Sequence, residues 1–160
     1  MVSIADDISL AGKAFMAFVM SPDRVAQAST DKIEALIRHL DWLAMAMHDT
    51  EPDSFDPAEY PEPALPKFET IYQAVQSGFS ELRPYTFIIL DAQSGVSKKP
   101  WEQDPWDDLT DIYRDLFDGI WRMEHTSRSD GLFELSLSYR SHWCAHLRAL
   151  QAYLQTLTVA

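Results

Sequence analysis

His142 and His146 stand one helical turn apart in the segment S-H-W-C-A-H, a spacing that lets two imidazoles lean toward one point. A metal ion exploits such a pair because each nitrogen lone pair must reach it at about 2 Å. Two nitrogens do not make a site. At about 100° per residue, Glu134, the nearest carboxylate on the same stretch, projects roughly 80° from His142 and further from His146. A third donor has to come from another element. Asp108, Asp111, Asp115 and Asp118, at i, i+3, i+7 and i+10, form a ridge of carboxylates along the border of one helix. His142, His146, Asp111 and Asp115 are the candidate metal ligands. The chemistry open to them is binding of a metal or small molecule, with catalysis as an extension.

The same residues have structural readings, and these are the preferred ones. His146 falls in an apolar stripe, where a histidine more often packs and satisfies its nitrogens by hydrogen bonds. Asp107, Asp108 and Asp111 favour the positive end of a helix dipole, and Asp118 can pair with Arg122 one turn on. Hydrogen bonds from the ridge to His142, Arg114 or Arg140 would hold two helices in register without any ligand. Cys144 projects about 140° from Tyr139, away from the stripe, so it does not form a Cys–His nucleophile with its neighbours in sequence. The chain has no phosphate-cradling Gly-rich loop, G-x-S-x-G, H-E-x-x-H or calcium loop. Trp101, Trp106, Trp121 and Trp143 are core or lid residues in the simplest reading, while Trp101 and Trp106 could present an exposed aromatic patch.

The histidines ride on residues 129–157, where Leu132, Leu135, Tyr139, Trp143, His146, Leu150, Tyr153, Leu154 and Leu157 share one helical face. That predicts one unbroken rod, about 40 Å long, on which the other helices pack. The ridge rides on a fourth helix announced by Asp104-Pro105, cap then first helical residue, with Leu109, Ile112, Leu116, Ile120 and Met123 facing inward. A short turn over 127–131 predicts that the two run antiparallel, bringing Asp108, Asp111 or Asp115 near His142 or His146.

Upstream, Ser3 with Asp6 opens a helix to Met20 whose face is Ile4, Ile8, Ala11, Phe15 and Phe18, widened by Leu10, Val19 and Met20. A second starts at Asp31, with Thr30 as the alternative cap, and buries Ile33, Leu36, Ile37, Leu40, Leu43, Ala44 and Met47. Trp42 and Met45 project from its other side. Residues 49–66 hold five prolines among acids and read as a loop, not a boundary, because neither flank alone makes a core. Phe68, Ile71, Tyr72, Val75, Phe79 and Leu82 mark a third helix that passes Gly78 and ends before Pro84. Residues 85–90 have strand composition but no evident partner, so an extended segment is expected, with a short helix as the alternative. Residues 91–101 read as a polar connection.

Thirteen Lys and Arg against twenty-five Asp and Glu give a formal net charge of −12. That field repels phosphate backbones and anionic membranes, so neither nucleic acid nor membrane is an expected partner. A protein with a basic surface is the better match. A homodimer is compatible with the sequence. One cysteine permits no internal disulfide and no Cys-based zinc site, and the acidic N-terminus and short apolar runs resemble neither a signal peptide nor a membrane span. A cytoplasmic protein is expected.

D-L-T-D-I-Y-R-D-L at 108–116, followed by S-H-W-C-A-H-L-R-A-L at 141–150, resembles an uncharacterised bacterial family, domain of unknown function 5063, whose pattern has L-A-D-I-Y-x-D-L and then W-G-x-H leading into A-L-R-A-L. The resemblance is firm over the C-terminal third, looser over 68–91, and a matter of helical character before that. Asp111, Tyr113, Arg114, Asp115, Trp143 and His146 are the matching positions. Cys144 stands where the pattern has glycine. The resemblance implies an all-helical domain and no assigned activity.

The expected architecture is a single all-α domain over residues 1–160, a bundle of about five helices. The polar cluster to examine is Asp108, Asp111, Tyr113, Arg114, Asp115, Arg140, His142, Trp143 and His146. The leading expectation is a binding or adaptor module without enzymatic activity and without a cofactor; the alternative is a metal- or small-molecule-binding protein, with catalysis undecided. The site reading requires imidazoles and a carboxylate converging within about 2–3 Å of one point beside a pocket. The adaptor reading expects those groups to be hydrogen-bonded to each other or to backbone, with an apolar patch elsewhere.

Overall fold

Asp104 opens the helix against which the rest of the chain is arranged. Its Oδ1 accepts from the Trp106 and Asp107 backbone amides at 2.9 and 3.4 Å, and Pro105 takes the first helical position, where its missing N–H costs nothing. In the computed structural model, which describes residues 4–50, 54–89, 93–95 and 100–158, the chain is all-α apart from one strand pair. The helices are α1 (Ile4–Met20), α2 (Ser29–Asp49), α3 (Phe68–Gly78), α4 (Pro105–His125), α5 (Arg128–Ser138) and α6 (Cys144–Thr158). A 3-10 turn (Pro22–Val25) follows α1, strands β1 (Tyr85–Phe87) and β2 (Trp101–Gln103) lie between α3 and α4, and a π turn (Tyr139–Trp143) joins α5 to α6. The expected Ser3 cap with Asp6, the Ile4 side chain, Leu90 and the Lys98-Lys99 pair lie outside the described residues.

The hub is α4, not the C-terminal rod. It touches α1, α3, α5 and α6, because it buries Leu109, Ile112, Leu116 and Ile120 along one stripe and Gly119 beside it. The fit to α5 is close: a Cβ added at Gly119 would fall 2.2 Å from Leu135 Cγ, and one at Gly131 would fall 2.5 Å from the Met123 backbone N. Only glycine allows that approach. The contacts Met123 to Gly131, Gly119 to Leu135, Asp115 to His142 and Asp108 to His146 step in opposite directions, so the two segments run antiparallel. The turn is tighter than 127–131: Ser127 caps α5, its Oγ accepting from Asp130 N at 3.1 Å, and the helix begins at Arg128.

The rod is helical throughout but not regular. Within the π turn the Cys144 N–H reaches Tyr139 O, five residues back, which inserts one residue into the repeat. The buried stripe therefore runs Leu132, Leu135, Trp143, Leu147, Leu150, Leu154. Leu147 takes the core place expected for His146, and Leu157 is 41% exposed. A constant period cannot anticipate such an insertion.

Other departures have local causes. Helix α2 starts at Ser29 on an Ala28 cap with no side-chain bond, ahead of Asp31 or Thr30. Helix α3 stops at Gly78, where buried Lys32 Nζ donates to Gly78 O at 2.7 Å; Phe79 and Leu82 stay fully buried on the turn that follows. Trp42 is drawn onto α1 by a 3.1 Å bond from Nε1 to Asp7 Oδ1, while Leu10 and Met45 face solvent. β1 has a partner after all: Tyr85, Thr86 and Phe87 pair antiparallel with Gln103, Glu102 and Trp101, at the end of what composition marks as a polar connection. The proline-rich loop is a strap over the α4–α5 end, fixed where Ser127 Oγ and Tyr60 OH donate to Asp56 Oδ2 and Phe55 meets Phe133 edge-on. Among the described residues no helix is long and apolar enough to cross a membrane.

Candidate metal centre

The antiparallel fit of α4 against the π turn and α6 brings five of the nine cluster residues together. His142 Nδ1–H donates to Asp115 Oδ2 at 2.7 Å, and His146 Nδ1–H donates to Asp108 Oδ1 at 2.7 Å. Each bond assigns the Nδ1–H tautomer and leaves the Nε2 lone pair outward. Both Nε2 atoms face the same oxygen, Asp111 Oδ2, each at 3.6 Å. That is beyond hydrogen-bond reach. One donor atom from each of Asp111, His142 and His146 lies within 4.8 Å of the others. Two ligands at about 2.1 Å from one ion, at the tetrahedral angle, sit about 3.4 Å apart, so both nitrogen–oxygen distances fit a shared ion with small adjustment. His142, whose side chain is 47% exposed, has the freedom to supply it.

The supports differ in depth. Asp108 is fully buried with both oxygens engaged, Oδ1 by His146 and Oδ2 by Tyr85 OH at 2.6 Å. Tyr85 is itself clamped flat on Tyr153, ring centroids 4.4 Å apart and 2° between planes, and Tyr153 OH accepts from Arg83 N. A carboxylate, a histidine and a free Nε2 in line is the outer-shell arrangement that orients metal-binding imidazoles. The Asp115–His142 pair repeats it nearer the surface.

The cluster is short of positive charge. The hydrogen bond to Asp108 raises the His146 pKa above its ordinary value despite burial. Burial raises the carboxyls of Asp111 and Asp107; neighbouring carboxylates add to it at Asp107, while the fields of His146 and His142 work against it at Asp111.

Four cluster residues go elsewhere. Trp143 is fully buried and donates from Nε1 to Ser138 Oγ, and Tyr113 packs half-buried against the core. Arg114 sends Nε to Pro66 O and lies over Phe68, tying down the end of the strap. Arg140 lines a separate cavity with His48, Thr50, Ser136 and Tyr139. His142 and His146 also line a cavity of about 310 Å³, bounded besides by Phe87, Ile89, Trp101, Ala145 and Ala149.

The model of the family described as domain of unknown function DUF5063 matches residues 3–160. The chain belongs to that family. The match runs essentially from end to end, beyond the C-terminal third where the motif resemblance is firm. The DUF5063 chain also has the fold of protein BF1032 from Bacteroides fragilis, whose crystal structure aligns with a TM-score of 0.73 over 94% of this chain and 89% of that one, at 16% identity. No curated protein matches.

Sequence reasoning missed Tyr85, Asp107 and the cavity wall of this DUF5063 member. The apolar run at 85–90 was the available signal, but the wall exists only once β1 meets β2, and that pairing closes across residues with no hairpin signature.

Proposed function

We propose that this protein binds a first-row divalent cation, zinc being the best match, through His142 Nε2, His146 Nε2 and Asp111, with a coordination position left for water or a small molecule. The observation that carries the reading is the pair of imidazoles, each anchored through Nδ1 to its own carboxylate and each turning Nε2 to one oxygen of Asp111. Helix-locking alone accounts for the two 2.7 Å bonds; it gives no reason for the free nitrogens to converge. Two nitrogens and one carboxylate suit zinc, cobalt or iron(II) and not calcium or magnesium, which take oxygen ligands. Three protein ligands with a fourth place open is also the composition of catalytic zinc sites.

The adaptor reading keeps support from the −12 net charge and from exposed Ile88, just after β1, and Trp101 on β2. It ranks second because it leaves the Nε2 geometry without a role. A cytoplasmic location is part of either proposal and rests on the lone Cys144.

Titration of chelator-stripped protein with cobalt(II) tests the proposal. One equivalent should bind and give the visible bands of a low-symmetry site, and His146→Ala should weaken binding by more than about 100-fold, since it removes a ligand outright. Folded protein that takes up no cobalt, or a His146→Ala variant that binds as well as the parent, overturns it.

A further inference from the structure

We propose that the cavity beside His142 and His146 receives a small neutral molecule with an apolar, ring-sized body and one oxygen or nitrogen donor, the donor taking the open position of the metal. The inference rests on the metal-centre reading above and adds the class of molecule the centre serves.

Four observations select that class. The cavity, about 310 Å³, falls at the lower end of the range that holds small organic ligands, roughly 300–1,000 Å³, so it takes a ring with short substituents rather than a polymer. Its walls are apolar where a ligand's body would lie, with Phe87 and its cross-strand partner Trp101 side by side and Ile89 two residues on. Ala145 and Ala149, one turn apart and either side of His146, make the space, since a larger side chain at either would fill it. Trp101 is 57% exposed and Ile89 42% exposed, an arrangement that costs solvation unless something apolar sits against them.

Charge excludes the anionic alternatives. Asp107, Asp108, Asp111 and Asp115 crowd the metal position, and one dication with neutral imidazoles leaves the centre negative. Among the described residues no Lys or Arg lines the cavity, so a carboxylate or phosphate entering it would meet the repulsion of these carboxylates. Gln103 and Ser141 provide hydrogen-bonding groups suited to a neutral polar end.

The probe is 4-phenylimidazole, a neutral nitrogen donor on a phenyl ring, read through the visible spectrum of the cobalt(II)-loaded protein. It should bind at least about tenfold more tightly than imidazole, because the ring is buried as well as ligated, and benzoate should bind more weakly than either. Ala145→Phe, at a solvent-facing position where the fold tolerates bulk, should abolish the preference for the phenyl compound while cobalt affinity stays the same. Equal affinities for imidazole and 4-phenylimidazole, tighter binding of benzoate, or a preference that survives Ala145→Phe overturns the inference and leaves the metal centre standing. Failure of cobalt to bind removes both.

Discussion

Near the C-terminal end of α4, Asp118 meets Arg122, whose guanidinium also reaches Asp130 at 3.4 Å and Glu62 on the strap. Near the N-terminal end, the basic groups that Asp108, Asp111 and Asp115 meet among the described residues are two imidazoles, with Tyr85 OH as a neutral donor to Asp108. The carboxylates come from one helix border, and their partners make the difference. Burial works against the Arg122 charge, but the hydrogen bond and field of Asp118 with the field of Glu62 outweigh it, so that cation is permanent. Glu134, raised by burial and by the field of Asp118, belongs to this end as well. An imidazole is charged only when protonated, and here its Nδ1 is already committed. One end of α4 carries its own counter-charge as a structural latch, whereas the other presents lone pairs and a carboxylate that an external cation would complete.

The largest effect should come from removing the permanent cation. Arg122→Ala leaves Asp118 and Asp130, each under one-fifth exposed, without a counter-charge and frees the strap at Glu62. A loss of about 3 kcal/mol is expected in urea melts, with no rescue by added zinc. Rescue by zinc would mean that the two ends are not distinct in kind.

Next come the carboxylates behind the imidazoles. Asp108→Asn and Asp115→Asn keep the proposed ligands but weaken the groups that orient them, so cobalt affinity should fall by about 10- to 100-fold. Asp108→Asn should sit at the upper end because its partner is the more buried, and Asp115→Asn at the lower, both measured by competition with a chelator. Equal and negligible losses would reduce the cluster to a second latch.

The smallest effect is on pH dependence. His146 has its folded pKa above the ordinary 6.5, so its bond to Asp108 contributes a stabilisation fully present below that value and lost as pH rises through the folded value. Asp111, also raised, acts in the same direction at acid pH: stability is lost as pH rises through its folded value. Chelator-treated protein should therefore lose thermal stability as pH climbs above about 6.5, and His146→Asn should flatten that decline. Arg122 has no such dependence near neutrality, so an unchanged slope in His146→Asn would erase the contrast between the two ends.

How much of this was legible depends on whether one period governs the segment. Asp104-Pro105 marked the start of α4 to the residue, and the Asp118–Arg122 pair could be read from its spacing, because both are local. The proximity of the ridge to His142 and His146 followed from a short turn, since a short link forces neighbouring helices to run back on each other. Arg114 and Arg140 could not be placed, because each turns to a surface supplied by a distant segment. Leu147 was hidden behind His146 by one inserted residue.

Periodicity and capping chemistry, which act over four or five residues, were enough for the sequence to determine an all-α chain, its helical segments, and the carboxylates and imidazoles available to one another. Tertiary structure alone decided which nitrogen of each ring is tied and which is free, that Tyr85 closes over Asp108, and that two short strands wall a cavity beside the histidines. Those outcomes depend on distances of a few ångströms between residues 20 to 70 positions apart, and such distances are set by the packing of α4 against its neighbours, not by any local preference of the chain.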